Sequence, residues 1–345
     1  MKDGTAVGEG PAHGGDVTAA ARRFGRAEAD WLDLSTGINP VPYPVPDLPA
    51  ECWSRLPQAG ALAALRQAAK AAYGAASPDM IAAAPGTQAL LQILPALLAA
   101  RRVAVLGPTY AEHAACWRAA GAEVETVAQL PPPDRTLVVV NPNNPDGREV
   151  APQALRDWAA AARAGGHFLI VDEAFADVCP GLSLVPEDMP KNAIVLRSFG
   201  KFYGLAGLRL GFALAAPDLV LRIEAALGPW AVSGPALEIG ARALSDGVWA
   251  AAARRRLAED AGRLRRMLAD RLGPGGGTVA GGTDLFVLFD YPAAPDLCEH
   301  LSRAGILVRA FDFDPRLLRF GLPGEAAAWA RLDGALAAFA PGKVS

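Results

Sequence analysis

The residues best suited to chemistry lie in one glycine-rich run. Ser198-Phe199-Gly200-Lys201 is followed by Gly204, Gly207, Arg209 and Gly211. Glycines let the backbone turn tightly, so Ser198, Lys201 and Arg209 can converge on one phosphorylated ligand. Two more polar positions follow apolar runs. Asn144 sits in Asn141-Pro142-Asn143-Asn144-Pro145 after Thr136–Val140, and Asp172 follows 168–171. In open α/β sheets the C-terminal ends of strands are where ligands bind. On spacing alone, a surface lysine and a structural arginine account for the run equally well. Asn144 alone reads as a turn residue, Asp172 as a helix cap and Tyr110 as core.

Several other chemistries are excluded. Gly200-Lys201 is followed by Phe202, so there is no P-loop; 273–277 lacks the dinucleotide glycine order, and no GxSxG elbow exists. His13, His113, His167 and His300 make no HExxH pattern, and Cys52, Cys116, Cys179 and Cys298 form no CxxC clamp. The arginine-rich run 254–266 reads as a solvated helix face, with Arg255 and Glu259 spaced as an i,i+4 pair.

The elements that must position these residues alternate. Short apolar strands are predicted at Arg102–Leu106, Glu123–Val127, Thr136–Val140, 168–171 and 193–196. Helices are predicted at Val17–Phe24, 62–73, 88–99, Ala111–Ala119 and 152–164, with a turn at 83–87. Continuous apolar strands between helices imply a mostly parallel sheet covered on both faces. A second, α+β region begins near 227–229. It has helices at 235–244 and 248–272, a glycine turn at 273–277, strands at 285–289 and 306–308, and a helix at 325–339.

Composition bounds the class. Hydrophobic residues make up 52% and the net charge is −3, which excludes a disordered chain and argues against a dedicated nucleic-acid binder. The most apolar stretch, 90–100, contains Pro95 and is too short to span a membrane. The polar, glycine-rich 1–15 has no signal-peptide core, and the few scattered cysteines fit a reducing, cytoplasmic compartment.

Taken together, the run 198–211, Asn141–Pro145 and Val171-Asp172-Glu173-Ala174-Phe175 resemble, in order, the hallmarks of the class I/II aminotransferases, which use pyridoxal 5'-phosphate (PLP). The resemblance spans nearly the whole chain. It implies a fold-type I α/β architecture: a large domain with a mostly parallel seven-stranded sheet between helices, plus a smaller α+β domain. It divides the chain into an N-terminal arm (1–45), a large PLP-binding domain (46–230) and a small domain (231–345). It assigns Lys201 the covalent bond to the cofactor aldehyde, and Asp172 the charge that keeps the ring nitrogen protonated. It gives Asn144 the ring 3-oxygen, Tyr110 the ring face, and Ser198, Arg209, Gly86, Thr87 and Gln88 the cofactor phosphate.

Within the family, His13-Gly14-Gly15-Asp16, Ser35-Thr36-Gly37-Ile38-Asn39-Pro40 and Pro229-Trp230-Ala231-Val232-Ser233 look like the branch that decarboxylates O-phosphothreonine. Histidinol-phosphate aminotransferases usually carry tyrosine where this chain has Phe175. The implied reaction is CO2 release from O-phosphothreonine to give 1-aminopropan-2-yl phosphate for cobalamin. Transamination of a phosphorylated amino compound is the alternative. The implied substrate contacts are His13, Gly14, Gly37, Asn144, Arg309 and Arg319. A homodimer is expected, with no nucleic-acid or membrane partner and no metal. One departure is Arg55-Leu56-Pro57-Gln58, where relatives often carry Arg-Tyr-Pro-Asp with a tyrosine that reaches the neighbouring subunit.

Overall fold

The structure is a computed structural model that describes residues 14–186 and 188–340. Among the described residues there are thirteen strands: β1 (Leu32–Asp33), β2 (Ile81–Ala84), β3 (Arg102–Leu106), β4 (Glu123–Val127), β5 (Thr136–Val140), β6 (Leu169–Asp172), β7 (Ala193–Ser198), β8 (Gly211–Leu214), β9 (Thr278–Thr283), β10 (Phe286–Asp290), β11 (Ile306–Leu307), β12 (Arg309–Ala310) and β13 (Leu317–Gly321). Seven form one sheet in the order β2-β8-β7-β6-β5-β3-β4. All run parallel except β8, which is antiparallel to both of its neighbours.

The apolar runs explain this sheet. Successive side chains point to opposite faces, and both faces are buried. Val103, Val105, Val138, Ile170 and Ile194 pack on one side against helices Thr87–Leu98 and Pro217–Leu227. Leu137, Val139, Leu169, Val171 and Val195 pack on the other against Ala59–Tyr73, Pro152–Arg163 and Gly234–Ser245. Strand β4 closes one edge, and its Glu123 and Glu125 are exposed. Charges on an edge strand discourage pairing with other chains.

Strands β12-β13-β10-β9 form a second, antiparallel sheet. Strand β1 crosses from the N-terminal segment to pair in parallel with β11, setting Asp33 opposite Leu307. This pairing carries the following segment, 34–39, against the second sheet, where the Gly321 N–H donates to the Leu34 carbonyl at 2.7 Å.

Four expectations need correction. The predicted turn at 83–87 begins later, because 81–84 is strand β2. Its alanines have weak strand preference, and pairing to β8 imposes the conformation. Strand β8 and helix Pro217–Leu227 were not predicted, because the glycine-rich run hides where β8 starts. The glycine-rich β9 and the short β13 were also missed. Finally, the arginine run is only partly solvated. Arg255 and Arg266 are exposed, but Arg254 Nε donates to the Asp177 carbonyl at 2.6 Å and Arg256 Nη2 to Asn39 Oδ1 at 3.0 Å.

Beneath the ends of β6 and β7 lies a buried ionic cluster. Arg197 Nε is 3.1 Å from Glu173 Oε2, and its Nη1 is 3.2 Å from Asp177 Oδ1. Glu173 also accepts from Ser183 Oγ and the Leu184 N–H, each at 2.7 Å. Burial pushes both carboxyls up and Arg197 pulls them back. Removing one partner strands the others without compensation. Arg197→Met should therefore cost about 3–5 kcal/mol of stability, read as a lower urea midpoint. A cost under about 1 kcal/mol, the range of an exposed pair, would show that the cluster is not electrostatically tied.

Candidate active site

The parallel strands of the large sheet end on one edge, and the antiparallel β8 begins there. Asn144 follows β5, Asp172 ends β6 and Ser198 ends β7. Lys201 lies in the one-turn helix Phe199–Phe202. Arg209 precedes β8, whose Gly211 pairs with both Ser198 and Ala84. These residues line a cavity of about 430 Å³, together with Thr87, Gln88, Tyr110, Gly14, Gly37, Arg309 and Arg319. His13 lies outside the described residues.

One end of the cavity is a cradle for an anion. Helix Thr87–Leu98 has no side-chain cap, so its first-turn N–H groups are left for a ligand. Its N-cap is Gly86, with φ of +84°. A Cβ on Gly86 would fall 2.7 Å from Arg209 Nη2. Arg209 itself holds φ of +53°, an unusual conformation for a residue with a side chain, of the kind that clusters at functional sites. Gly86 does not line the cavity itself; its lack of a side chain lets Arg209 approach the helix end.

At the centre are Lys201, Asp172 and Asn144. Burial, then the positive charge of Arg319, lowers the Lys201 amine from its ordinary value to about 8, although Asp172 opposes the shift. Nζ lies 5.9 Å from the centre of the Phe175 ring. Asp172 Oδ1 accepts the Ala174 N–H at 3.0 Å, and Oδ2 is 3.0 Å from Nε2 of buried His113. A carboxylate only accepts, so Nε2 carries the proton of that bond. Arg319 Nη1 donates to Asn144 Oδ1. Arginine has no acceptor, so this contact leaves the Asn144 NH2 as a donor toward the cavity. Burial, then nearby Glu112, pushes the Tyr110 phenol up to about 12, and its hydroxyl donates to Gln88 Oε1 at 3.4 Å.

The far end belongs to the second sheet and the N-terminal segment. Arg309 on β12 and Arg319 on β13 sit directly opposite each other in register. Like charges so placed repel. Burial, then Arg309, lowers Arg319 to about 10. Among the described residues, Arg319 Nε is buried with no hydrogen-bond partner. Two opposed arginines, one with an orphaned donor, call for an anion. Gly37 permits close packing here, since a Cβ would fall 2.8 Å from both Phe175 and Phe286.

This donor set fits the PLP implied by the sequence. It offers a buried low-pKa amine, a phosphate cradle, a carboxylate fixed from behind and an amide donor. Sequence reasoning missed His113, in the first turn of helix Ala111–Ala119, three residues after its N-cap Tyr110. It also missed Thr36 and the lining segment Phe311-Asp312-Phe313.

The lowered amine predicts a pH profile. Addition of PLP to apoprotein should develop visible absorbance at a rate that rises with pH and levels off above about 8, where Nζ is neutral. A nearby cation disfavours the protonated amine, so Arg319→Leu should move this midpoint upward. A wild-type rate still climbing toward 10.5 would place Lys201 outside the desolvated cavity.

Comparison with known proteins agrees with this geometry. The family model described as "Aminotransferase class I and II" matches residues 50–328. A threonine-phosphate decarboxylase from Sinorhizobium sp is 47% identical over 94% of this chain and 97% of its own. One from Pseudomonas aeruginosa is 44% identical, covering 95% and 97%. Among solved structures, histidinol-phosphate aminotransferase from Sinorhizobium meliloti in complex with pyridoxal-5'-phosphate has a TM-score of 0.77 at 22% identity, covering 95% of this chain and 94% of that one. That likeness shows the fold. From its lysine, asparagine and aspartate segments to its sheet order, this chain belongs to the class I and II aminotransferase family.

Proposed function

We propose that this protein is a PLP-dependent carboxy-lyase that converts O-phospho-L-threonine to (R)-1-aminopropan-2-yl phosphate and CO2. The observation that carries this reading is the pairing of two separate anion sites in one cavity, at Arg209 and at Arg309–Arg319, with Lys201 between them. The first suits the cofactor phosphate. The second suits a substrate with two anionic ends, which the names of the 44–47% identical relatives also suggest. In this reading the product supplies the aminopropanol linker of cobalamin, and the protein works in the cytoplasm.

Bound PLP supplies an electron sink for the pair released when the carboxylate departs. The protein's residues do the rest. Arg319, held by Asn144 and the Ser35 carbonyl, takes the substrate carboxylate in charge-assisted hydrogen bonds. Arg309 takes the phosphate, with His13 as its sequence-based partner. Asp172, fixed by His113 and the Ala174 N–H, presents negative charge to the ring nitrogen. Phe175, held by its packing 5.0 Å from Phe286, gives the cavity an apolar wall beside Lys201. Lys201 Nζ, with a pKa near 8, delivers the proton that replaces CO2.

We further propose a homodimer. Trp53, Leu56 and Trp230 are 71%, 59% and 60% exposed. Trp230 also lines a second cavity, with Pro57, Ala59 and Leu237. An apolar patch of this kind marks a protein interface.

The reaction type is testable directly. Purified protein with PLP and no keto acid should turn over O-phosphothreonine repeatedly, releasing one CO2 per amine. Glutamate formed from histidinol phosphate and 2-oxoglutarate, with no CO2 from O-phosphothreonine, would make the protein an aminotransferase instead. Asp172→Asn should keep bound cofactor yet lose turnover by about 100-fold or more, since a neutral amide lacks the charge that stabilises the ring nitrogen. A loss under about tenfold would remove Asp172 from that role.

A further inference from the structure

Ser35, whose carbonyl holds Arg319, also carries a hydroxyl that the proposed reaction does not use. Ser35 is 2% exposed and bonds in three directions. Its carbonyl accepts from Arg319 Nη2 at 2.7 Å. Its hydroxyl accepts the Gly15 N–H at 2.7 Å and donates to Asp33 Oδ1 at 2.6 Å. Asp33 Oδ1 also accepts the Ser35 N–H at 2.8 Å, so both hydrogens of Ser35 are turned onto one carboxylate. Asp33 is in turn fixed by β1, which pairs it with Leu307.

The two sides of Ser35 face different parts of the cavity. On one side is Arg319, the buried guanidinium with an orphaned Nε. On the other is the N-terminal segment at Gly14-Gly15, where Gly14 lines the cavity. Gly14 is pressed so closely on Ser35 that a Cβ there would clash with the same carbonyl oxygen that Arg319 uses. Gly15 has φ of +88°, which lets the chain turn and present its N–H to the hydroxyl. Neither the segment nor Arg319 can shift without disturbing Ser35.

We propose that Ser35, oriented by Asp33, is a positioning residue that couples docking of the Gly14-Gly15 segment over the cavity to the orientation of Arg319 toward the substrate anion. The proposal rests on the reading of Arg319 as a substrate-binding group. Coupling of this kind is reciprocal. Engaging an anion at Arg319 favours the docked segment, and the docked segment favours the productive Arg319.

The test uses the PLP-loaded protein and two readouts. The first is the split between KM and kcat on O-phosphothreonine. The second is amide hydrogen exchange of the peptide carrying Gly15. Ser35→Ala removes the hydroxyl but keeps the carbonyl. It should raise KM about tenfold, the scale of one or two lost hydrogen bonds, with kcat within about threefold and cofactor absorbance unchanged. It should also speed exchange at Gly15. Ser35→Thr, which restores a hydroxyl, should recover both. Gly14→Ala, pushing from the other side, should raise KM in the same way. Arg319→Leu should speed exchange at Gly15, more than 300 positions away in sequence.

An unchanged KM and unchanged exchange in Ser35→Ala would overturn the proposal. So would an Arg319→Leu protein whose Gly15 exchange matches wild type, because the segment and the arginine would then be independent. A Ser35→Thr protein no better than Ser35→Ala would make the site one of packing alone and overturn the hydroxyl's role. If Ser35→Ala fails to fold, Asp33→Asn replaces it, with the same expected KM rise and the same overturning result. Absence of wild-type turnover on O-phosphothreonine would defeat the substrate reading. The exchange comparison would still decide the coupling.

Discussion

Lys201, Arg209, Arg309 and Arg319 share one cavity with two carboxylates, Asp172 and Asp312. Cations outnumber anions there, and Arg319 among them is buried, whereas Arg209 is exposed. Unpaired buried charge is among the most expensive features a fold can carry. The surrounding structure is arranged to hold it. Asn144 and the Ser35 carbonyl accept from Arg319. The Ala206 carbonyl accepts from Arg209 Nη1 at 3.3 Å. In the proposed reaction, the anions of a bound cofactor and substrate answer the positive charge at Arg209 and Arg319. Burial first, then the same imbalance through Arg319, lowers the Lys201 amine, so the charge that binds anions also helps to prepare the nucleophile.

Supporting that charge requires a stiff floor. The parallel strands put it in place by ending together, and β8 returns through the same edge to deliver Arg209. Directly below, Glu173, Asp177 and Arg197 form a closed buried cluster. Glu173 is covalently next to Asp172, so the cluster and the His113 bond fix Asp172 from two directions. A carboxylate that must meet a ring nitrogen within a few tenths of an ångström benefits from such over-determination.

Much of this was legible in the sequence, and the reason is local. Strands such as Thr136–Val140 are continuous apolar runs, because both faces of a parallel sheet are buried. The polar residue that ends each run then marks the ligand edge. Asp172 is found that way; Asn144, Ser198, Lys201 and Arg209 are drawn out by the motifs 141–145 and 198–211 and take their roles from the family resemblance, and all five line the cavity. What stayed hidden was set by tertiary register. The opposition of Arg309 and Arg319 depends on pairing of β12 with β13, and β13 gave no strand signal. His113 meets Asp172 across 59 positions, and Arg319 meets Asn144 across 175. No local pattern encodes those meetings. The alanine-rich β2 is strand only because β8 pairs with it.

The division of labour between the two sheets explains how one fold can serve several reactions. Lys201, Asp172, Asn144 and the phosphate cradle all hang from the large sheet, and in the proposed reaction they address the cofactor. Arg309, Arg319 and the Gly14 and Gly37 segments come from the second sheet and the N-terminal chain, and in the proposed reaction they address the substrate's charged ends. Which bond at the substrate's α-carbon stands perpendicular to the cofactor ring is a matter of where those ends are clamped. In that reading, clamps opposed across β12 and β13 fix two anions relative to each other and to the ring. A change of one clamp rotates the substrate without touching the residues that activate it. Reaction choice is then a property of the second sheet and its N-terminal partner, and the Asn144–Arg319 bond is the point at which the two systems meet.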